Sequence, residues 1–215
     1  MIVHQRRDLS TTRQKILEAS LRLFARDGFE AVSTSAIAGE LGMAKSALYK
    51  HFPDKRAIFD SLVDEMLEQH RAAAMAAGVA LAPGESAARA YAATSPEDMA
   101  ALGEALFAHW TTDESAVAFR RMLSLERYRN ERAARVYDEF FAGGQLAYHE
   151  AMFSEMIDIG AFHAGDAKQI ALDFWAPIYL LMQAVDGGMK AKEATKRVRA
   201  HVLAFAERYV RSSNG

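Results

Sequence analysis

The chain has 215 residues with a formal net charge of −2, 51% apolar residues, four prolines and no cysteine. That apolar content supports a sizeable core and excludes a disordered chain, and the absence of cysteine excludes disulfides and thiolate metal sites. A membrane-spanning helix needs roughly 20 apolar residues; the longest apolar run, near Phe174 to Val185, is shorter and is interrupted by Pro177.

The first residues, Met1 to Asp8, lack the apolar stretch of a signal peptide, so a reducing cytoplasm is the expected compartment. Strand-type alternation is absent, and the expected class is all-α. Charge is unevenly spread. Residues 1–56 carry ten Lys/Arg and six Asp/Glu, a balance of +4, whereas the remainder carries 16 and 22, a balance of −6. A basic quarter on an acidic body points to a polyanion contact at one end only.

In chain order, Thr11-Thr12-Arg13-Gln14 reads as a capping box, with Thr11 as N-cap and Gln14 reaching back. Ile16, Leu17, Ser20, Leu23 and Phe24 follow at helical spacing. This predicts a helix over 12–27 that ends at Gly28, with Phe29 closing a Schellman-type contact. Arg6 and Arg7 precede it as a basic tail, either disordered or an arm for a minor groove. A short helix begins at Ser33 or Thr34, either of which can cap it, and buries Ile37, Ala38 and Leu41 before Gly42 breaks it. A third covers about 45–51. A fourth starts at Pro53-Asp54, lines up Ile58, Phe59, Leu62, Val63, Met66 and Leu67, and runs to about Ala77. After a boundary at Gly78 to Glu85, Ser95-Pro96-Glu97-Asp98 opens the next helix, with Ser as N-cap, Pro at N1 and acids in the first turn. Further helices are expected over 96–111, 113–128, 130–159, 166–185 and 190–211. Gly143-Gly144 inside 130–159 costs about 1 kcal/mol per Gly relative to Ala, which signals a kink or a close helix contact.

The segment around Gly42 carries the functional signal. Two short helices joined by the Gly42-Met43-Ala44 turn form a helix-turn-helix, whose second helix enters a major groove while the first crosses the backbone. Leu48 and Phe52 are four apart and face inward. Lys45, Ser46, Ala47 and Lys50 are left outward, flanked by Tyr49 and His51. Lys55 opens the next helix, where a cation is disfavoured by the helix dipole unless an anion binds there.

From Thr12 to about Met66 the chain resembles the DNA-binding domain of the TetR family of bacterial transcriptional regulators. The residues that match are Ile16-Leu17, Leu23-Phe24, Gly28-Phe29, Ile37-Ala38, Leu41-Gly42, Leu48-Tyr49, His51-Phe52 and Lys55. The resemblance implies phosphate contacts by Ser33, Thr34, Tyr49, His51 and Lys55, and base contacts by Ser35, Lys45, Ser46, Ala47 and Lys50. Two positions depart from the pattern. Ala44 stands where a Ser often caps the recognition helix, and Ser46 stands where Gly is common, so the cap is lost or moves to Ser46.

The resemblance also implies a three-helix DNA-binding domain over 1–58 and a larger helical domain for ligand binding and dimerisation over 59–215. Apolar stripes at Ile170, Phe174, Ile178, Leu181 and Val185, and at Val198, Val202, Phe205 and Tyr209, look like the family's dimer bundle. The same stripes equally suit a core within one chain. Met66, Phe107, Trp110, Met122, Tyr137, Phe141, His149, Phe153 and Trp175 are candidates to line a pocket for an apolar or aromatic small molecule. Such side chains also simply fill cores.

Enzyme chemistry finds no support, since the sequence holds no HExxH, phosphate loop or nucleophile elbow. Neither cofactor nor metal is expected. The expected function is that of a homodimeric transcriptional regulator, a repressor by family resemblance, released from a palindromic double-stranded operator by a small-molecule effector. The alternative is a helical small-molecule-binding or interaction protein without sequence-specific DNA binding, encouraged by Ala44 and Ala47 on the recognition face.

Overall fold

The computed structural model describes the backbone of residues 2–211 and the side chains of residues 11–211. Among the described residues the regular structure is helical, without strands, apart from a bridge between Phe162 and Val210. The helices are α1 (Ile2–Asp27), α2 (Thr34–Glu40), α3 (Lys45–Tyr49), α4 (Lys55–Ala76), α5 (Glu85–Ala92), α6 (Pro96–Thr112), α7 (Glu114–Glu126), α8 (Glu131–Phe141), α9 (Gly143–Asp158), α10 (Ala167–Asp186) and α11 (Ala191–Tyr209). They form two compact units. The first comprises the described residues of Met1–Ala73 and Ala118–Ala134, and the second those of Ala74–Val117 and Arg135–Gly215.

In the first unit the apolar faces of α1, α2, α3 and α4 meet through Ile16, Leu17, Phe24, Ile37, Leu48, Ile58, Phe59 and Val63, all buried. Phe24, Phe29 and Phe59 form a ring triad with centroids 5.3 to 6.2 Å apart, tilted or edge-on as ring quadrupoles prefer. The first helix differs from expectation at both ends. It begins at Ile2, upstream of the Thr11 capping box, and no Gly or Pro between Ile2 and Thr11 opposes that extension. Arg6 and Arg7 fall on this stretch, and their side chains lie outside the described residues. At the other end the Gly28 amide bonds the Phe24 carbonyl at 3.0 Å. The Phe29 amide, however, donates to the buried Glu126 carboxylate at 2.8 Å and not back to α1. A carboxylate is a stronger acceptor than a peptide carbonyl, and it comes from 97 residues away, beyond the reach of local pattern.

The second unit packs α6 against α11, α10 against α9 and α11, and α5 against α9. The helix expected over 130–159 is two helices. The chain turns at Ala142 (φ −130°, ψ −114°), and the Gly143 amide donates to Asp138 Oδ1 at 3.2 Å. A Cβ on Gly144 would lie 2.5 Å from the Glu139 Cα and 2.6 Å from its carbonyl oxygen. The paired glycines therefore mark a break in which the new helix starts against the backbone of the old one. Helix α5 was not expected. It lacks a side-chain N-cap and is held by tertiary contact: Ala88 is fully buried, the Ala80 amide donates to the Tyr91 hydroxyl at 3.0 Å, and the Tyr148 hydroxyl donates to the Ala80 carbonyl at 2.8 Å.

Gly144→Ala is expected to destabilise the protein by about 1–3 kcal/mol, the range for forcing an extra carbon into filled space. The drop in the denaturant midpoint measures it, and Gly160→Ala, which meets no neighbouring atom but stands at positive φ, separates overpacking from backbone strain.

Candidate nucleic-acid interface

Helix α2 is capped by Ser33, whose hydroxyl accepts from the Ala36 amide at 3.0 Å. It ends in a Schellman turn: the Met43 amide bonds the Ala38 carbonyl at 2.9 Å and the Gly42 amide bonds the Gly39 carbonyl at 3.1 Å. Gly42 sits at φ +62°, a left-handed conformation that costs a residue with a Cβ. Ala44 then leads into α3 in extended conformation and offers no side-chain cap, so the cap is lost and does not pass to Ser46. Leu48 and Phe52 are buried, and the Arg13 guanidinium lies 5.0 Å from the centre of the Phe52 ring.

With Leu48 and Phe52 turned inward, Lys45, Ser46 and Lys50 are exposed and Ala47 is half-buried beside them. Ser35, on the first turn of α2, is exposed too. Of the residues expected to hold phosphates, Ser33 and Tyr49 are exposed, His51 and Lys55 are half-buried, and Thr34 is buried. The Thr34 hydroxyl lies 3.3 Å from the Tyr49 hydroxyl, tying the first turn of α2 to the end of α3. That bond, and after it the Lys45 ammonium 5.6 Å from the ring centre, hold the Tyr49 phenol below its usual pKa. Lys55 has a second task that the sequence did not disclose. Its ammonium donates to the Phe29 carbonyl at 2.6 Å and the Glu30 carbonyl at 3.3 Å, and lies 4.2 Å from the centre of the Phe29 ring. Two carbonyl dipoles thus offset its unfavourable place at the amide end of α4.

Residues 16–62 match the family model described as bacterial regulatory proteins, tetR family. The amino-terminal segment is a TetR-family helix-turn-helix domain. Over 53 residues it is 40% identical to the nucleoid occlusion factor SlmA of Escherichia coli and of Klebsiella pneumoniae, a match covering 24% of this chain and 27% of those relatives' length. Beyond that domain the likeness is one of fold. A TetR-family regulator from Mesorhizobium loti described as putative superposes with a TM-score of 0.62 at 22% identity, over 94% of this chain and 98% of that one. A putative transcriptional regulator from Saccharomonospora viridis, in complex with choline, gives 0.65 at 21% identity, over 94% of this chain and 100% of that one. SmeT, the repressor of the Stenotrophomonas maltophilia multidrug efflux pump SmeDEF, gives 0.62 at 18% identity, over 96% of this chain and 94% of that one. The family match thus covers residues 16–62, and the likeness over the rest of the chain is one of fold. Among the described residues no helix is long and apolar enough to cross a membrane.

The remaining candidates divide between the two units. Met66 and Met122 are buried in the first. The second holds the others, most of them in two ring clusters joined by a hydrogen bond. Trp110 meets Phe141 edge-on at 4.8 Å, and its neighbour Tyr137 lies 5.4 Å from Phe141; Phe107 is buried nearby on α6. The Trp175 indole donates to the Phe141 carbonyl at 3.2 Å. His149 stacks on Trp175 at 5.6 Å and contacts Phe174 at 4.8 Å and Phe153 at 5.6 Å. Its Nδ1 donates to the Gln145 carbonyl at 2.7 Å, which leaves Nε2 as an acceptor. Of the stripes expected at a dimer contact, Ile170, Ile178, Val198, Val202 and Phe205 are buried within the chain, while Phe174 and Leu181 are half-buried. The large apolar residues left open on α10 are Leu172 and Leu180, which the helical stripe chosen from sequence passed over. Among the described residues no group of His, Asp or Glu is placed to hold a metal.

Packing among rings strips His149 of hydration and pushes its pKa down from 6.5 to about 4. The unfolded chain therefore takes up a proton between pH 6.5 and 4 that the folded chain refuses. Stability from this group is fully present above pH 6.5 and is lost as pH falls towards 4, by at most about 3 kcal/mol. His149→Phe is expected to flatten the pH dependence of the denaturant midpoint in that window.

Proposed function

We propose that this chain is a transcriptional regulator: a homodimeric repressor of a palindromic double-stranded operator, released by a small apolar or aromatic effector. The observation that carries the reading is the outward face of α3: Lys45, Ser46 and Lys50 stand in solvent while Leu48 and Phe52 lock the helix to the core. Lys45 and Lys50 are the groups to reach guanine O6 and N7, and the Ala47 methyl a thymine methyl. Ser35 joins them from α2, and Ser46 does so with its hydroxyl, since it does not serve as a cap. Ser33, Thr34, Tyr49, His51 and Lys55 hold flanking phosphates. A dimer would set two such helices about 34–36 Å apart, one per half-site.

Dimerisation through α10 and α11 is supported by the exposed stripe Leu172, Ala176 and Leu180, with Phe174 and Leu181 half-buried beside it and the small exposed Ala200 and Ala204 on α11. The buried stripes would back this contact from within. For the effector, the rings of Trp110, Phe141, Phe153 and Trp175 supply apolar surface and His149 Nε2 an acceptor, a combination that suits an aromatic molecule carrying a hydroxyl or amine donor. Such a molecule releases DNA only by binding the two conformers with different affinity.

The test is a titration against DNA flanking the chain's own gene and against random duplex, over a range of salt. A site-specific advantage on the order of 10³ or more is expected; equal affinity for both would leave a helical binding protein without operator recognition. Lys45→Ala and Lys50→Ala are each expected to cost about 1–3 kcal/mol on the preferred sequence and to relax the preference at one base pair. An unaltered preference in both variants would reject the face assignment.

A further inference from the structure

The first unit contains a second basic surface, far from the helix-turn-helix in sequence. Residues 1–56 carry a balance of +4, but residues 57–73 add one Arg and four Asp/Glu, which reduces it to +1. Residues 118–134, which the chain returns to this unit, carry five Arg and two Glu and restore it to +4. The second unit carries ten Lys/Arg against 16 Asp/Glu. The returning segment is therefore charged like the DNA-binding unit and unlike the rest of the chain.

The fold exposes two of these arginines, one on α7 and one on its hydrogen-bonded exit turn. Arg121, Leu125 and Arg129 recur at four-residue spacing along α7 and its exit turn, and all three are exposed together with Tyr128, at 80% the most open large hydrophobic side chain among the described residues. The Arg127 guanidinium donates to the Tyr128 hydroxyl at 2.6 Å and lies 4.7 Å from its ring centre, which fixes the ring in solvent. The turn itself is built. The Arg129 and Asn130 amides both bond the Glu126 carbonyl at 2.9 Å, and the buried Asn130 caps α8 by accepting from the Arg132 amide at 3.0 Å. Arg132 is neutralised by Asp60 and Asp64, whereas Arg121 and Arg129 have no ion pair among the described residues.

The surface is also connected to the candidate interface. The Glu126 carboxylate accepts the Phe29 amide at 2.8 Å, and the Phe29 carbonyl accepts the Lys55 ammonium at 2.6 Å. One residue thus separates the carboxylate that anchors this turn from the lysine assigned to a phosphate. We propose that Arg121, Tyr128 and Arg129 form an additional DNA-backbone contact, independent of sequence, that extends the footprint beyond the helix-turn-helix. The chemistry fits: arginine and tyrosine are common donors to phosphate oxygens, and such contacts raise affinity and salt dependence without reading bases.

This proposal rests on the DNA-binding reading above, and the experiment keeps the two apart. The full chain and its R121Q/R129Q variant are titrated with the flanking DNA and with random duplex of the same length, across 50 to 200 mM salt. A K190Q/K192Q variant removes equal charge from the second unit as control. Each lost phosphate contact lowers the slope of log K against log salt by about 0.9. The slope of R121Q/R129Q is therefore expected to fall by about 1.8 per subunit on both duplexes, with the ratio of specific to random affinity unchanged and the control slope unmoved. A slope equal to that of the unmodified chain overturns the proposal. If the unmodified chain shows no specific advantage while R121Q/R129Q still lowers the slope, operator recognition fails and the backbone contact stands.

Discussion

A five-residue helix has no stability of its own, because nucleation costs more than so few hydrogen bonds return. Helix α3 (Lys45–Tyr49) exists because Leu48, and Phe52 just beyond it, are buried in the core formed by α1, α2 and α4. Two such side chains contribute roughly 1.5–3 kcal/mol each. That burial also sets the rotation of α3 about its axis, and so decides which side chains stand in solvent. The proposed base-reading face is the complement of an apolar contact, and no polar interaction is needed to aim it.

The same logic extends to the supports around it. Ser33 and the Schellman turn at Gly42 close the two ends of α2, while the bond between Thr34 and Tyr49 joins α2 to α3. Phe29 is held at both ends of its backbone, by Glu126 at the amide and by Lys55 at the carbonyl. A carboxylate and an ammonium thus grip one residue from opposite sides, and the same contacts position Lys55 at the mouth of α4. A loop with such partners is preorganised, which lowers the ordering cost of any complex it enters.

In the second unit the ring set from Trp110 through Trp175 to Phe205 does two jobs that compete. Edge and stacked contacts stabilise the core, and the same apolar surface is what a small aromatic molecule would seek. His149 sits where these demands meet. Its neutral form is enforced by lost hydration, and its orientation by the Gln145 carbonyl.

Much of the first unit was legible in the linear chain because its signals are local: apolar residues at helical spacing, Ser33 at a cap, Gly42 at a turn. The outward set on α3 followed from knowing that Leu48 and Phe52 face inward. The paired glycines at 143 and 144 announced a disruption, though only the close approach of Gly144 to Glu139 made it a full break between helices. The start of α1 and the existence of α5 were missed, since a capping box does not prevent a helix from beginning earlier and α5 is held by the burial of Ala88 and by the bonds of its own Tyr91 and the distant Tyr148 to Ala80. By itself, then, the sequence determined the helical class, the helix-turn-helix and its exposed face, all consequences of short-range periodicity. Tertiary structure alone decided that Glu126 anchors Phe29, that Lys55 binds carbonyls, that the apolar stripes of α10 and α11 are largely internal, and that Arg121 and Arg129 belong to the same compact unit as the helix-turn-helix. Each of those depends on which distant segments come together, and spacing along a chain carries no record of that.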